Sequence, residues 1–376
     1  MYLVLKHRDV EVCEFEYSDE EVKYMRVLNA EHLPLPLKRI MHYDYFDGGS
    51  IVNEEGRYLL EEWLDDRAVP ANRINKKAYG YKISDMLKMY GASFTDNYWM
   101  ENKGLHWKDI SLYSNCELDT FDVIELNRDK YSEVNNTLGG TLEKYWFRYG
   151  DDLMLAKRTP VSSDMLNIRE VIASEIYRLQ GYKNYCQYNL VRNRYGQIVG
   201  CVCKAFTSED RELITAYDLL AEYGWQHRDN LYDIIVDRAV QYGGNAKEIT
   251  EMFDIMTVAD YLVTNRDRHQ NNIGFMRDPV TLKIIGVAPI FDNGSSIEME
   301  GQLPLGVGNT VVHNLCNTEK ECLDSVKNKN CIDVNKLPTV DWVRNMWNQS
   351  SNSLRDERYA GLYDRKIAYW ELIRRH

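Results

Sequence analysis

Thr264-Asn265-Arg266-Asp267-Arg268-His269-Gln270-Asn271-Asn272, followed by Ile290-Phe291-Asp292-Asn293-Gly294, gathers carboxylates, amides and an imidazole into one short stretch. These are the groups that phosphoryl transfer from Mg·ATP requires: a carboxylate to orient and deprotonate the attacking hydroxyl, and oxygen ligands that hold Mg²⁺ against the phosphates. Asp267 suits the first role. Asn272, five residues on, offers an uncharged amide oxygen to the metal, and Asp292 an anionic one. Between them, Ile273 to Met276 reads as a strand, Asp278-Pro279 as a turn and Leu282 to Val287 as the returning strand, with Pro289 ending it. Such a hairpin brings Asp292 back toward Asn272, although Asp292 overshoots the opposite position and pairing alone leaves the distance open. The competing reading is a polar turn after a helix, with Asp and Asn capping backbone amides. No second His or Cys stands at transition-metal spacing from His269.

Asn-x-Asp-Arg-His-x-x-Asn with a later Phe-Asp-Asn-Gly resembles the HipA-like serine/threonine kinases, best known as toxins of bacterial toxin–antitoxin pairs. The Asp-to-Asn spacing is also that of protein-kinase catalytic loops. The resemblance implies that Asp267 is catalytic, that Asn272 and Asp292 bind magnesium, and that His269 and Phe291 lie beside the nucleotide. It further implies phosphorylation of a hydroxyl in the chain's own phosphate loop, for which Thr137 and Thr141 are the local candidates, and an antitoxin partner.

A kinase also needs a cation on the ATP phosphates and a turn to cradle them. Asn135-Asn136-Thr137-Leu138-Gly139-Gly140-Thr141 is a small-residue turn, though not a Walker A loop, whose amides suit phosphate binding at Gly139, Gly140 and Thr141. Tyr145 to Tyr149 and Leu153 to Lys157 read as two strands around a Tyr149-Gly150-Asp151-Asp152 turn. A Lys closing a strand is usually a solvated edge residue. Its position between a Gly-rich turn and a helix makes Lys157 the candidate phosphate ligand. The helix from about Leu166 to Gln180, closed by Gly181, carries Glu170 and Glu175, either of which can pair with Lys157 or simply be solvated; Glu170 is favoured. Gly200 to Phe206 runs from an apolar strand into an extended link suited to reading the adenine edge. Lys204-Ala205-Phe206 stands where the HipA-like family has its charged-x-Phe hinge. Cys201 and Cys203 read as packing thiols, since two thiols fall short of a zinc site.

With 376 residues, 44% of them hydrophobic, the chain can bury two cores. No apolar run is long enough for a bilayer and no signal-peptide pattern opens the chain. Eight cysteines without dense spacing suit reduced thiols, so a soluble cytoplasmic protein is expected. Cys316, Cys322 and Cys331 form a loose group without a C-x-x-C. A net charge of −12 disfavours general nucleic-acid binding and anionic membranes, and would steer a basic protein substrate toward the chain.

Elsewhere, Tyr2 to Leu5 and Cys13 to Tyr17 read as a hairpin, residues 56 to 66 and Ile83 to Tyr90 as helices, and Thr95 to Trp99 as the start of a strand or loop. The Trp, Arg and Tyr residues of this third are read as packing. From Ser208 onward the chain reads as mainly helical. Ile249 to Val263 delivers the Asn265 loop, the Leu303 to Gly308 stretch stands where a kinase has its activation or substrate loop, and a helix with Tyr359, Tyr363, Ile367 and Trp370 closes the chain. The expected fold is α+β: a two-lobe protein-kinase-like arrangement with a mixed, β-rich N-lobe and a mainly helical C-lobe. The expected divisions are an N-terminal HipA-associated region 1–130, an N-lobe 131–205 and a C-lobe 206–376. The expected function is ATP- and Mg²⁺-dependent transfer to Ser or Thr of a protein. The alternatives are a lipid or small-molecule kinase, and a nucleotide-binding interaction module without turnover.

Overall fold

The computed structural model describes residues 1–68, 83–88, 90–101, 103–116, 118, 137–138, 142–224, 230–294, 307–308, 310–312, 315–351 and 356–375. The first structural layer is a six-stranded antiparallel sheet. It is built from β1 (Tyr2–His7), β2 (Val10–Ser18), β3 (Glu21–Val27), β4 (Phe46–Gly48), β5 (Ile51–Val52) and β6 (Tyr98–Glu101), in the order β4-β5-β3-β2-β1-β6. Alternation places Leu3, Leu5, Cys13, Phe15, Met25 and Val27 in one buried cluster with α1 (Leu35–His42) and α2 (Glu54–Arg67). The hairpin read from the sequence is present, and β3 extends it. In Glu21–Val27 the adjacent Tyr24 and Met25 break the alternation that would have revealed that strand. Three short helices, α3 (Ile83–Lys88), α4 (Trp107–Ile110) and α5 (Leu112–Asn115), complete this part. Arg67 is buried and bidentate to Asp96 at 2.7 and 2.8 Å, so it packs rather than faces solvent.

A four-stranded antiparallel sheet follows, formed by β7 (Glu143–Tyr149), β8 (Asp152–Arg158), β9 (Asn189–Arg192) and β10 (Ile198–Lys204) in the order β7-β8-β10-β9. The helix α6 (Met165–Gln180) packs against β9 and β10. It ends where Gly181 adopts a left-handed φ of 73°, returning its N–H to Arg178 and Tyr177.

The remainder is mainly helical: α7 (Ala216–Ala221), α8 (Leu231–Gln241), α9 (Ala246–Val263), α10 (Glu319–Ser325), α11 (Val340–Trp347) and α12 (Asp356–Ile373). It also holds a small sheet: the hairpin read from the sequence, joined by one strand that reading missed. The strand β11 (Glu212–Thr215) pairs with β12 (Gly274–Arg277), which pairs with β13 (Ile284–Val287). Four residues are too few to establish a period, and β11's partner lies far along the chain. The helix α9 is buried from Met252 to Val263, the mark of a central helix surrounded by others. Asn245 caps its first amides, and Thr264, at φ 61°, turns the chain out of its last turn.

A charged seam joins the first sheet to the third. Glu212, wholly buried, accepts from His7 Nε2 at 2.7 Å, Asn97 N at 2.8 Å and Arg277 Nε at 2.9 Å. All eight cysteines are free thiols. Among the described residues, no helix is long and apolar enough to cross a membrane.

Candidate active site

The site lies where β8, α6, the loop after α9 and the loop after β13 converge. Pairing with β10 places Lys157 opposite Cys201, at the buried end of β8. Lys157 Nζ donates to Glu170 Oε1 at 2.6 Å and to Asp292 Oδ1 at 2.7 Å, 4.8 Å above the Tyr188 ring. Of the two candidate glutamates, Glu170 is therefore the one at Lys157; Glu175 pairs instead with Arg178 one helical turn on. Burial by itself would lower the Lys157 pKa, but Asp292 and Glu170 outweigh it and hold the ammonium well above the usual lysine range. Burial likewise opposes ionisation of Asp292. The Lys157 charge wins there too, keeping the carboxyl well below its usual range.

Glu170 has a second task. Its Oε2 accepts from Asn293 N at 2.7 Å and Asn293 Nδ2 at 3.1 Å, pinning the loop that carries Asp292 to α6. Asp292 itself sits at a left-handed φ of 56°.

The loop after α9 is organised from within. Asn265 Nδ2 donates to Asp260 Oδ1 at 2.8 Å, while its Oδ1 receives the Asp267 N–H at 3.1 Å. Asn272 Nδ2 donates to Asp267 O at 3.0 Å and lies 3.2 Å from His269 Nε2. With its nitrogen thus engaged, the Asn272 amide oxygen is the atom suited to a hard cation.

Arg268, absent from the residues singled out by sequence, is the hub of the site. Its guanidinium is 2% exposed and meets Asp260 side-on, with Nε to Oδ2 and Nη2 to Oδ1 both at 2.8 Å. Nη1 reaches Asn272 O at 2.8 Å and Phe291 O at 2.5 Å, and Nη2 reaches Asn293 Oδ1 at 2.9 Å. One nitrogen thus holds the carbonyls of Asn272 and Phe291 together, bringing both candidate metal-binding segments to one place. The available signal was Asp260, a carboxylate in the apolar last turns of α9, which needs a buried cation.

Phe206 and Phe291 stand 5.6 Å apart, tilted by 32°, against Cys186, Tyr188, Cys201 and Cys203. This apolar cluster offers a surface against which a planar base can pack. Burial pushes the Cys201 thiol up, as befits a packing residue. The Lys204 ammonium is exposed and pairs with Asp152 at 2.6 Å, while the backbone of the link is secured by Ala205 N to Leu153 O at 2.8 Å. Thr137 adopts a φ of 67° and hydrogen-bonds Thr95, and its N–H reaches Arg67 O at 2.8 Å. Gly139, Gly140, Thr141 and Leu303 to Gly306 lie outside the described residues.

Among the described residues, no three His, Cys, Asp or Glu side chains form a metal cage. A Mg²⁺ ion on a nucleotide is held largely by phosphate oxygens and water, with one or two protein ligands. Asn272 and Asp292 fit that role: one amide oxygen, one ionised carboxylate.

No family model matches the chain. Over 160 residues it is 31% identical to the serine/threonine-protein kinase CtkA of Helicobacter pylori. The chain resembles the HipA-like serine/threonine kinases. The matched part is 40% of this chain, and it spans about half, 48%, of that kinase. Two solved structures are also similar. The crystal structure of the Helicobacter pylori proinflammatory kinase CtkA gives a TM-score of 0.46 at 20% identity, over 61% of this chain and 94% of the other. HipA of Shewanella oneidensis MR-1, in a complex with HipB and its operator DNA, gives 0.47 at 12% identity, over 98% and 96%.

Proposed function

We propose that this chain is a protein kinase that transfers the γ-phosphoryl group of ATP to a Ser or Thr hydroxyl. The observation that carries the reading is the bridge from Lys157 to Glu170 and Asp292, set beside a catalytic-type loop that Arg268 ties to the same place. Asp267 orients the acceptor hydroxyl and takes its proton. A bond forms between the hydroxyl oxygen and the γ-phosphorus as the bond from that phosphorus to the β,γ-bridging oxygen breaks, leaving ADP. Lys157 directs its charge at the α- and β-phosphates, and the Phe206–Phe291 pair lies beside the base. Asn272 and Asp292 would hold Mg²⁺, which neutralises charge on the phosphates. His269 lies beside the nucleotide, and the Gly139-Gly140-Thr141 turn covers the phosphates.

The finer assignments belong to the same proposal. They comprise a region 1–130 preceding an N-lobe 131–205 and a C-lobe 206–376, a cytoplasmic location, self-phosphorylation at Thr137 or Thr141, and restraint by an antitoxin-type protein. They rest on the motif resemblance. The net charge of −12 favours a basic acceptor protein.

The test is ATP turnover, intact mass and a phosphoproteomic screen of a cell lysate, for the wild type beside Asp267→Asn and Lys157→Ala. Mg²⁺-dependent transfer by the wild type that falls at least about a hundredfold in both variants is expected. Tight ATP binding without transfer would replace this reading with that of a nucleotide-binding module.

A further inference from the structure

On the sequence, α12 is a packing helix whose Tyr359, Tyr363, Ile367 and Trp370 face inward. The structure adds a charged residue on that same inward stripe: Lys366, three residues after Tyr363 and four before Trp370, is wholly buried. Its Nζ donates to Tyr261 O at 2.6 Å, to Thr264 Oγ1 at 3.1 Å and to Glu319 Oε1 at 2.6 Å. The first two acceptors form the exit of α9, three residues before Asp267 in the case of Thr264. The third holds the chain that returns after the Asp292 loop. Glu319 N donates to Thr310 O at 3.0 Å, Lys320 N to Gly308 O at 2.8 Å, and Glu319 Oε2 receives Gly308 N at 3.4 Å. Gly308 is held there closely: it has a left-handed φ of 88°, and any Cβ would fall 2.7 Å from the Tyr369 hydroxyl.

We infer that Lys366 is a positioning residue of the kinase reaction, coupling the returning chain at Gly308 and Thr310 to the loop that presents Asp267. The inference rests on the kinase reading. A buried ammonium is costly unless its partners are aligned, so the ion pair sets one relative placement of α9, α10 and α12. Apolar packing alone would tolerate sliding. A displacement of about 1 Å at the reacting groups suffices for a hundredfold loss of rate.

Removing Lys366 alone would orphan Glu319, so the informative variant is Lys366→Met/Glu319→Gln beside Lys366→Met. The expected result is that Lys366→Met melts well below the wild type and the double variant recovers most of that loss. Turnover in the double variant nevertheless stays at least about tenfold down, with ATP affinity, by titration with ATP itself, within about twofold of wild type. Hydrogen exchange should quicken at Asn265 to Asn272 and at the Gly308, Glu319 and Lys320 amides together, while β8 and α6 are unchanged. Wild-type turnover and unchanged exchange in the double variant would overturn the inference. A wild type that binds ATP without transferring phosphate would refute the kinase reading instead, and coupled exchange at the two segments would still decide whether Lys366 joins them.

Discussion

Replacing Arg268 by Met should unfold the candidate site more than any surface change of equal size. The guanidinium makes two hydrogen bonds to Asp260 and one each to Asn272 O, Phe291 O and Asn293 Oδ1. Met fills a similar volume and donates none. Asp260, 2% exposed, would keep Asn265 Nδ2 at 2.8 Å but lose its cation. Breaking a buried pair by removing one partner costs about 3–5 kcal/mol, against about 5–15 kcal/mol of stability for a typical domain. At about 2–4 °C per kcal/mol for a unit of 150–250 residues, the melting temperature should fall by about 6–20 °C. Lysine will not rescue it, because one ammonium cannot meet Asp260 side-on and still span the two carbonyls. Urea unfolding followed by circular dichroism and tryptophan fluorescence reads the loss. Adding Asp260→Asn to Arg268→Met should recover about 1–3 kcal/mol relative to the sum of the single variants. A single variant melting within about 2 °C of wild type, or strict additivity in the cycle, would refute the reasoning.

The Glu212 seam predicts acid sensitivity. Burial alone would raise the Glu212 pKa, but Arg277 and His7 outweigh it and hold the group at about 2, below its ordinary 4.5. A depressed folded-state pKa stabilises above the unfolded value, so the wild type's lead over Glu212→Gln in urea midpoint should be full at neutral pH and shrink between pH 4.5 and 2. A lead that grows with acid would contradict the assignment. Gly294→Ala should cost about 1–3 kcal/mol, because its Cβ would lie 2.6 Å from the Leu166 carbonyl oxygen and the backbone of α6 cannot yield as a side chain would. Urea midpoints equal to wild type would show that the Asp292 loop moves freely.

What the sequence made legible was local. The passage from α9 into the Asn265 loop, and from there into β12 and β13, shows as a change of period from helix to strand; the strand bounds differ from the reading by at most two residues, and the start of α9, Ala246 rather than Ile249, by three. The strand before Lys157 and the helix bearing Glu170 were visible for the same reason. What was hidden depends on residues far apart in the chain. Arg268 stood inside the quoted motif, yet its role comes from Asp260, Phe291 and Asn293 meeting at one guanidinium. Lys366 was passed over, since nothing local says that Glu319 faces it. The strand β11 was concealed because its pairing partner, β12, follows it by an entire helical region.

The strained residue at the site follows from the same geometry. A non-glycine residue in the left-handed region costs about 1–3 kcal/mol, although Asp and Asn tolerate it best. At φ 56°, Asp292 sends its carboxylate to Lys157 while the next N–H, that of Asn293, reaches Glu170. Since Lys157 and Glu170 are themselves paired, the turn closes a ring of three charges with one backbone donor. Glycine would relieve the strain but remove the carboxylate, and a relaxed aspartate would point one of the two groups away. The conformation is therefore held by the requirement that the Asp292 carboxylate and the Asn293 amide face β8 and α6 at once. That requirement connects the strain to the chemistry of the site rather than to the stability of the fold.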